Sequence, residues 1–264
     1  MLFKATHDIM TNIKHLRSVG HFRLVRNKMS TFYSEWYEKR KSGICDRDEI
    51  VAFIRAAEET VSPLLVGSVD ELSMVFAALS QVPIEEFFDI VKTDAISRNL
   101  TPADVPCFSN FDMGAHRLNE LLEFEPEGLS FSDAGYQLMN SVKDGARKKY
   151  GENHSKLATT MSLVEISYAH RTAVITPTAW GRYLVNYDLA QKKDVLQKLL
   201  LRDLCVKSIV KEALHGPVTY RNIVSFLARS TAVRRRSNVK CLVEYVFNGT
   251  AYEHVLARID WECE

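Results

Sequence analysis

The chain has 264 residues, of which 46% are hydrophobic and 25% are charged, and its formal net charge is +1. This is enough apolar material to bury an ordinary core in one large domain or two small ones. No run of eighteen apolar residues occurs, and charged residues interrupt the first twenty, so we expect no membrane span, no signal peptide and a cytoplasmic location. The five cysteines are scattered and include no close pair, so their spacing suggests neither a disulfide framework nor a zinc site.

The small net charge conceals an uneven distribution along the chain. Residues 44–133 hold 5 basic and 18 acidic side chains, whereas residues 191–240 hold 12 basic and 3 acidic ones. Such asymmetry is typical of a protein whose two regions bind different partners. The alternative is that the acidic region docks on the basic region within the chain.

The first 83 residues are predicted to form a helical region. Apolar and aromatic side chains recur every three or four positions in residues 22–36, and the opposite face is basic. Amphipathic segments follow after residue 46, after Ser68 and after Pro83, where Ser68 and Pro83 are helix-start signals. We expect region 1–83 to bind a protein partner or to form a homodimer.

Residues 165–184 carry the clearest local signal. An alternating segment turns at 169–172, returns as a second short strand, and meets Thr176-Pro177, which is typical of an N-cap followed by proline at the first helical position. This predicts a two-stranded hairpin with His170 and Arg171 at its tip, followed by a helix. Segment 119–139 is predicted to repeat the design, in the order helix, strand, turn at 126–128, second strand and capped helix.

The residues between the two hairpins complete one structural unit. We predict a helix from about Ser132 to Gly151, then a short helix, then a strand that contains Leu163 and Val164. Together with Ile175-Thr176-Pro177 and Gly181, this arrangement resembles the winged helix-turn-helix superfamily of DNA-binding domains. The resemblance extends over 84–187, and its best unit is 130–187. It implies that the hairpin is a wing and that the helix before it faces DNA.

The last part of the chain, 188–264, is predicted to be a linker helix and a C-terminal helix-turn-helix unit. One long amphipathic helix is expected to reach Gly216-Pro217, and two helices joined by a short polar turn follow. The expected fold is therefore mainly α, with a helical N-terminal part followed by tandem winged-helix units that carry small two-stranded β wings.

Basic residues of these units are the candidate DNA contacts, because phosphate contacts dominate affinity for DNA. A recognition helix presents its N-terminal residues to the major groove. Arg234–Arg236 are predicted to occupy that position, where their charge opposes the helix dipole unless an anionic partner compensates it. The full predicted set is Arg234, Arg235, Arg236, Arg229, Lys240, Lys148, Lys149, Asn153, His154, Lys156, His170 and Arg171. For the basic side chains, an ordinary solvated surface is the alternative interpretation, and for the histidines the alternative is a surface residue or a hydrogen-bonded core residue.

No catalytic motif is present in the sequence: it has no Gly-rich phosphate loop, no His-Glu-x-x-His, no Gly-x-Ser-x-Gly and no Cys-x-x-Cys. We predict a non-enzymatic double-stranded DNA-binding protein without cofactor or metal, either a regulator or the recognition subunit of an antiviral defence or restriction complex. One alternative is a tandem winged-helix scaffold that binds a protein such as a chromosome-organising ATPase. Another is a nuclease with an unrecognised metal site.

Overall fold

A computed structural model describes residues 68–96, 98–125, 127–139, 143–169 and 172–262. These residues form a mostly helical protein with two small sheets, which confirms the mainly α expectation. The predicted aromatic stripe at 22–36, the helix after residue 46, and the hairpin tip at His170 and Arg171 lie outside the described residues.

Two helices open the described part of the chain. Helix α1 is Val69–Gln81 and helix α2 is Ile84–Thr93, so both predicted starts are confirmed. Pro83 precedes α2, where its lack of an N–H costs no hydrogen bond. Helix α2 buries an apolar face that consists of Ile84, Phe87, Phe88, Ile90 and Val91.

The middle of the chain folds around a three-stranded antiparallel sheet. Its elements are a π-helical turn at Met113–Arg117, helix α3 at Leu118–Glu123, strand β1 at Leu129–Ser130, helix α4 at Phe131–Leu138, helix α5 at Asp144–Thr160, strand β2 at Val164–Ala169 and strand β3 at Thr172–Pro177. The strand order is β1, β3, β2. Ile175 of β3 pairs with Leu129 of β1 and with Ile166 of β2, and the predicted hairpin is thereby confirmed.

The prediction for 119–139 is correct in part. Its opening helix, second strand and capped helix form as α3, β1 and α4, but among the described residues no strand precedes the turn, and β1 pairs with β3 of the middle unit. The strands therefore build one sheet, where the sequence had predicted two separate two-stranded wings. The pairing of β1 with β3 buries the Leu129 side chain in the core. This burial favours a single three-stranded sheet over two separate hairpins.

The predicted helix from Ser132 to Gly151 is also wrong. The chain forms two helices there, and Gly151 lies inside α5 where a helix end was expected. A Cβ added to Gly151 would lie 2.0 Å from the backbone oxygen of Phe131. The glycine is needed for close packing of two helices and does not end either of them.

Helix α6, Ala179–Leu184, begins two residues later than the Thr176-Pro177 signal predicts. Its N-cap is Thr178, whose hydroxyl accepts a hydrogen bond from the Gly181 N–H at 2.9 Å and donates one to the Ser162 carbonyl at 2.6 Å. Pro177 is instead the last residue of β3 and pairs with Val164. Thr178 is favoured as the cap because it also ties the helix to the residues before β2.

The C-terminal part has a further break that the sequence did not predict. Its elements are helix α7 at Lys193–Leu200, helix α8 at Leu204–His215, strand β4 at Val218–Thr219, helix α9 at Tyr220–Ile223, helix α10 at Arg229–Phe247, a 3-10 helix at Glu253–Arg258 and strand β5 at Ile259–Asp260. The single long helix expected from 188 is wrong, because the Asp203 carboxylate caps α8 by accepting from the Val206 N–H at 2.9 Å. Strands β4 and β5 pair in parallel.

One apolar core joins these elements. Helix α2 packs on α8, and α7 packs on both α1 and α10. Phe88 of α2 stacks on Phe247 of α10 with ring centroids 5.0 Å apart. In the part of the chain that the structure describes, no helix is both long and apolar enough to cross a membrane.

Candidate nucleic-acid interface

Helix α5 is fixed in place by a close crossing with α4. A Cβ on Gly135 would lie 1.9 Å from the Arg147 backbone oxygen, so the two helices pack backbone against backbone. The buried side of α5 consists of Gly151, His154, Ser155, Leu157 and Ala158. Its opposite side faces solvent.

The solvent side of α5 is basic. Residues 143–160 carry five basic and two acidic side chains, and Lys148, Lys149 and Lys156 are exposed. The ammonium groups of Lys149 and Lys156 lie 3.0 and 2.6 Å from the two carboxylate oxygens of Glu152. Lys148 has no ion pair with a described residue. Exposed ion pairs of this kind contribute little stability, so a phosphate group can replace them.

His154 does not belong to this surface, although the sequence predicted that it contacts DNA. Its side chain is fully buried, with Nδ1 2.8 Å from the Tyr150 carbonyl oxygen and Nε2 3.4 Å from the Ser109 hydroxyl. Burial lowers the pKa of the imidazole. A buried neutral ring cannot contact a phosphate. Asn153 is half-buried, and its amide donates to Cys107 Sγ at 3.8 Å.

The three consecutive arginines of α10 have different roles. The Arg235 guanidinium donates to the carbonyls of Pro102 and Val105, and that of Arg236 donates to the Trp261 carbonyl at 3.3 Å. Helix α10 begins at Arg229, so these arginines lie beyond its first turn and do not occupy the predicted N-terminal position. The partial negative charge of the carbonyl oxygens stabilises Arg235 and Arg236 without an anionic partner. Arg234 is exposed and makes no hydrogen bond or ion pair with a described residue.

The remaining predicted contacts are spread along α10 and the hairpin. Arg229 is exposed at the first residue of α10, and the Lys240 ammonium lies 3.7 Å from the Glu244 carboxylate. His170 and Arg171 lie outside the described residues, between the ends of β2 and β3.

Several other cations of the basic region are used inside the fold. Lys207 lies 2.5 Å from Asp94, and the Lys198 ammonium bonds both Asp194 and the Leu79 carbonyl. Of these contacts, the Lys207–Asp94 ion pair joins the acidic region to the basic one, as the docking interpretation expects, whereas Asp194 belongs to the basic region itself. Among the described residues, Lys148, Lys149 and Lys156 of α5 and Arg229 and Arg234 of α10 are exposed cations.

A groove brings these two groups of basic side chains together. It has a volume of about 590 Å³ and is bounded by loop 102–108, by α5 and by the start of α10. Lys149, Asn153 and Lys156 line one wall, and Arg234 lines another. The sequence analysis had placed the lysines and Arg234 in two separate units. Nothing in the local sequence predicts that loop 102–108 lies between them and joins them in one groove. We call this feature the α5–α10 groove.

Comparisons with protein-family models, with curated proteins and with solved structures found no match to this chain. Among the described residues, no three His, Cys, Asp or Glu side chains cluster closely enough to hold a metal ion.

Proposed function

We propose that the protein binds double-stranded DNA through a winged-helix unit that spans residues 111–177, with α5 as its recognition helix. The supporting observation is the order helix, β1, α4, α5, β2, β3 together with the sheet order β1, β3, β2. This is the arrangement expected of a winged helix-turn-helix unit. It begins earlier than the predicted unit at 130–187, because the helix before β1 and β1 itself belong to it.

The charge on α5 supports the same proposal. Lys148, Lys149 and Lys156 are exposed on a helix whose other side is tightly packed, so their ammonium groups are available to phosphates. Contacts of this type position a protein on DNA and make its affinity strongly dependent on salt. The exposed face offers few amide side chains that could read bases, so we expect weak sequence preference.

The hairpin β2–β3 acts as the wing in this proposal. Tyr168, near the end of β2, is 73% exposed, and the hairpin leads to His170 and Arg171. We expect the tip to contact phosphate or the adjacent minor groove. That role remains a prediction for both tip residues.

The C-terminal half has a supporting role in this account. Its order α8, β4, α9, α10 repeats the helix, strand, helix, helix order of the middle unit, but its described strands are parallel and form no hairpin. Of the three consecutive arginines, Arg235 and Arg236 are bonded to backbone carbonyls. Arg229 and Arg234 are the cations of α10 that we propose to lie near DNA.

Fluorescence anisotropy with a labelled random duplex at several salt concentrations tests the proposal. Lys148→Ala should weaken binding and reduce the slope of log K against log salt by about 0.9, the change for one lost phosphate contact. Arg182→Ala is the matched control, because Arg182 is exposed on α6 and lies outside the proposed surface. Equal effects of the two variants would exclude α5 as the contact.

A protein-binding scaffold is the second candidate function. The observation that favours it is a set of large exposed hydrophobic side chains in the middle unit, with Phe124 81% and Tyr168 73% exposed. In that case the duplex would not bind even at low salt. A binding partner, identified by co-purification, would then be lost on Phe124→Ser and retained on Lys148→Ala.

A further inference from the structure

The α5–α10 groove has the dimensions of a small-molecule site. Its volume of about 590 Å³ lies inside the range of roughly 300–1,000 Å³ that is usual for ligand pockets. Pro102, Ala103 and Pro106 give it accessible apolar surface, and the buried side chains of Val105, Phe108 and Leu157 lie beneath them. Asn153 adds a polar amide to the wall formed by α5.

The acidic side chains in the groove already have partners. Asp104 binds the Arg98 guanidinium at 2.7 and 2.5 Å, and this ion pair holds the pKa of the carboxyl well below its usual range. Asp203 is occupied as the N-cap of α8. The charge of Asp104 is thus balanced within its own ion pair, and the hydrogen-bonding capacity of Asp203 is used at the start of α8.

The basic side chains in the groove are less fully paired. Lys149 and Lys156 share the single carboxylate of Glu152, which holds their ammonium groups side by side and does not itself line the groove. Arg234, which lines the same groove from α10, has no partner among the described residues. An anion placed between these three cations would gain charge-assisted hydrogen bonds that the protein alone does not supply.

We propose that the α5–α10 groove binds a small phosphate-bearing ligand of nucleotide size. The phosphate lies between Lys149, Lys156 and Arg234, and the apolar part of the ligand lies on the accessible side chains of loop 102–108. Binding of the ligand does not depend on the proposed DNA function. A competition between ligand and DNA, in contrast, rests on the proposed function. Lys149 and Lys156 also belong to the proposed DNA surface, so the ligand and the duplex weaken each other's binding by the same factor.

Isothermal titration calorimetry of the full chain with AMP tests the proposal, with adenosine as the ligand that lacks the phosphate. Arg234→Ala should weaken AMP binding about tenfold or more, which is the loss of one charge-assisted contact. Arg229→Ala is the matched control, because Arg229 is exposed on the same helix and does not line the groove. It should change the affinity by less than about twofold.

Three results would overturn the inference. The first is equal affinity for AMP and adenosine, and the second is an equal effect of Arg234→Ala and Arg229→Ala. The third is that AMP does not bind while Arg234→Ala weakens duplex binding, which would make the groove a contact for DNA backbone phosphate only. Lys148→Ala separates the two proposals, since Lys148 does not line the groove and should affect only the duplex.

Discussion

Gly151 of α5 lies against Gly135 of α4, and a Cβ on Gly151 would be 3.0 Å from the Gly135 backbone nitrogen. The crossing brings the two backbones together without intervening side chains, so α5 cannot move away from α4 without losing these contacts. Because α5 is fixed in this way, the positions of its exposed lysines are set by the core of the middle unit.

The glycine crossing predicts a strong effect of a single methyl group. Gly151→Ala places a Cβ 2.0 Å from the Phe131 backbone oxygen, so the helices must separate, and we expect a loss of about 2–3 kcal/mol in unfolding free energy. Gly145→Ala is the control in the same helix, since a Cβ there meets nothing within 4 Å. It should stabilise α5 by roughly 0.5–1 kcal/mol. Urea unfolding measures both, and equal stability of the two variants would contradict the crossing.

The N-cap of α6 gives a second prediction. Thr178→Val removes the hydroxyl that accepts from the Gly181 N–H and donates to the Ser162 carbonyl, and should cost about 1–2 kcal/mol in unfolding free energy. Thr178→Ser keeps the hydroxyl and should retain most of the stability. Thermal unfolding compares the two variants. If Thr178→Val is as stable as the wild-type protein, Thr178 is not the N-cap of α6.

The arginines of α10 predict a contrast between neighbours. Arg235→Ala removes a partly buried guanidinium that bonds the Pro102 and Val105 carbonyls, and should lower the unfolding free energy by about 1–2 kcal/mol. Arg234→Ala removes an exposed side chain and should change it by less than about 0.5 kcal/mol. Chemical unfolding of both variants tests the difference. A larger loss for Arg234→Ala would mean that the roles are reversed.

A buried lysine predicts how stability depends on pH. The Lys192 ammonium is enclosed beside His116 Nδ1 at 2.9 Å, and burial lowers its pKa from 10.5 to about 8. Between these two values, the unfolded chain holds the proton and the folded chain does not, so this group makes the protein more stable as the pH rises from about 8 towards 10.5. Below pH 8 both states hold the proton, and the full cost of burying the charge is present.

Lys192→Met isolates this effect from the other groups that titrate in the same range. The variant buries no charge, so its stability relative to wild type should be highest below pH 8 and should decline as the pH rises towards 10.5. Urea unfolding at a series of pH values gives the difference. A difference that stays constant across this range would show that Lys192 titrates normally.

Local features of the sequence were good predictors of local structure. Alternation at 164–177 predicted the hairpin, and Ser68 and Pro83 predicted the starts of α1 and α2, because each of these signals acts within a few residues. The function of Gly151 could not be predicted in the same way. A glycine that ends a helix and a glycine that lets two helices touch look identical until the partner helix is in place.

The candidate site depended on contacts between distant parts of the chain. Arg235 bonds a carbonyl 133 residues away, and nothing near it in sequence distinguishes it from Arg234. The burial of His154 likewise depends on Ser109, 45 residues earlier. The sequence shows which residues are basic, but only the contacts between distant segments decide which of these residues face solvent.

The central claim is that the exposed lysines of α5 bind duplex DNA through its phosphates. The most direct test is the affinity of the unmodified protein for a random labelled duplex, measured by fluorescence anisotropy across a series of salt concentrations. Affinity that falls steeply and linearly in log salt, with a shallower slope for Lys148→Ala, is the predicted result. No binding at low salt, or binding that salt does not change, would contradict the claim.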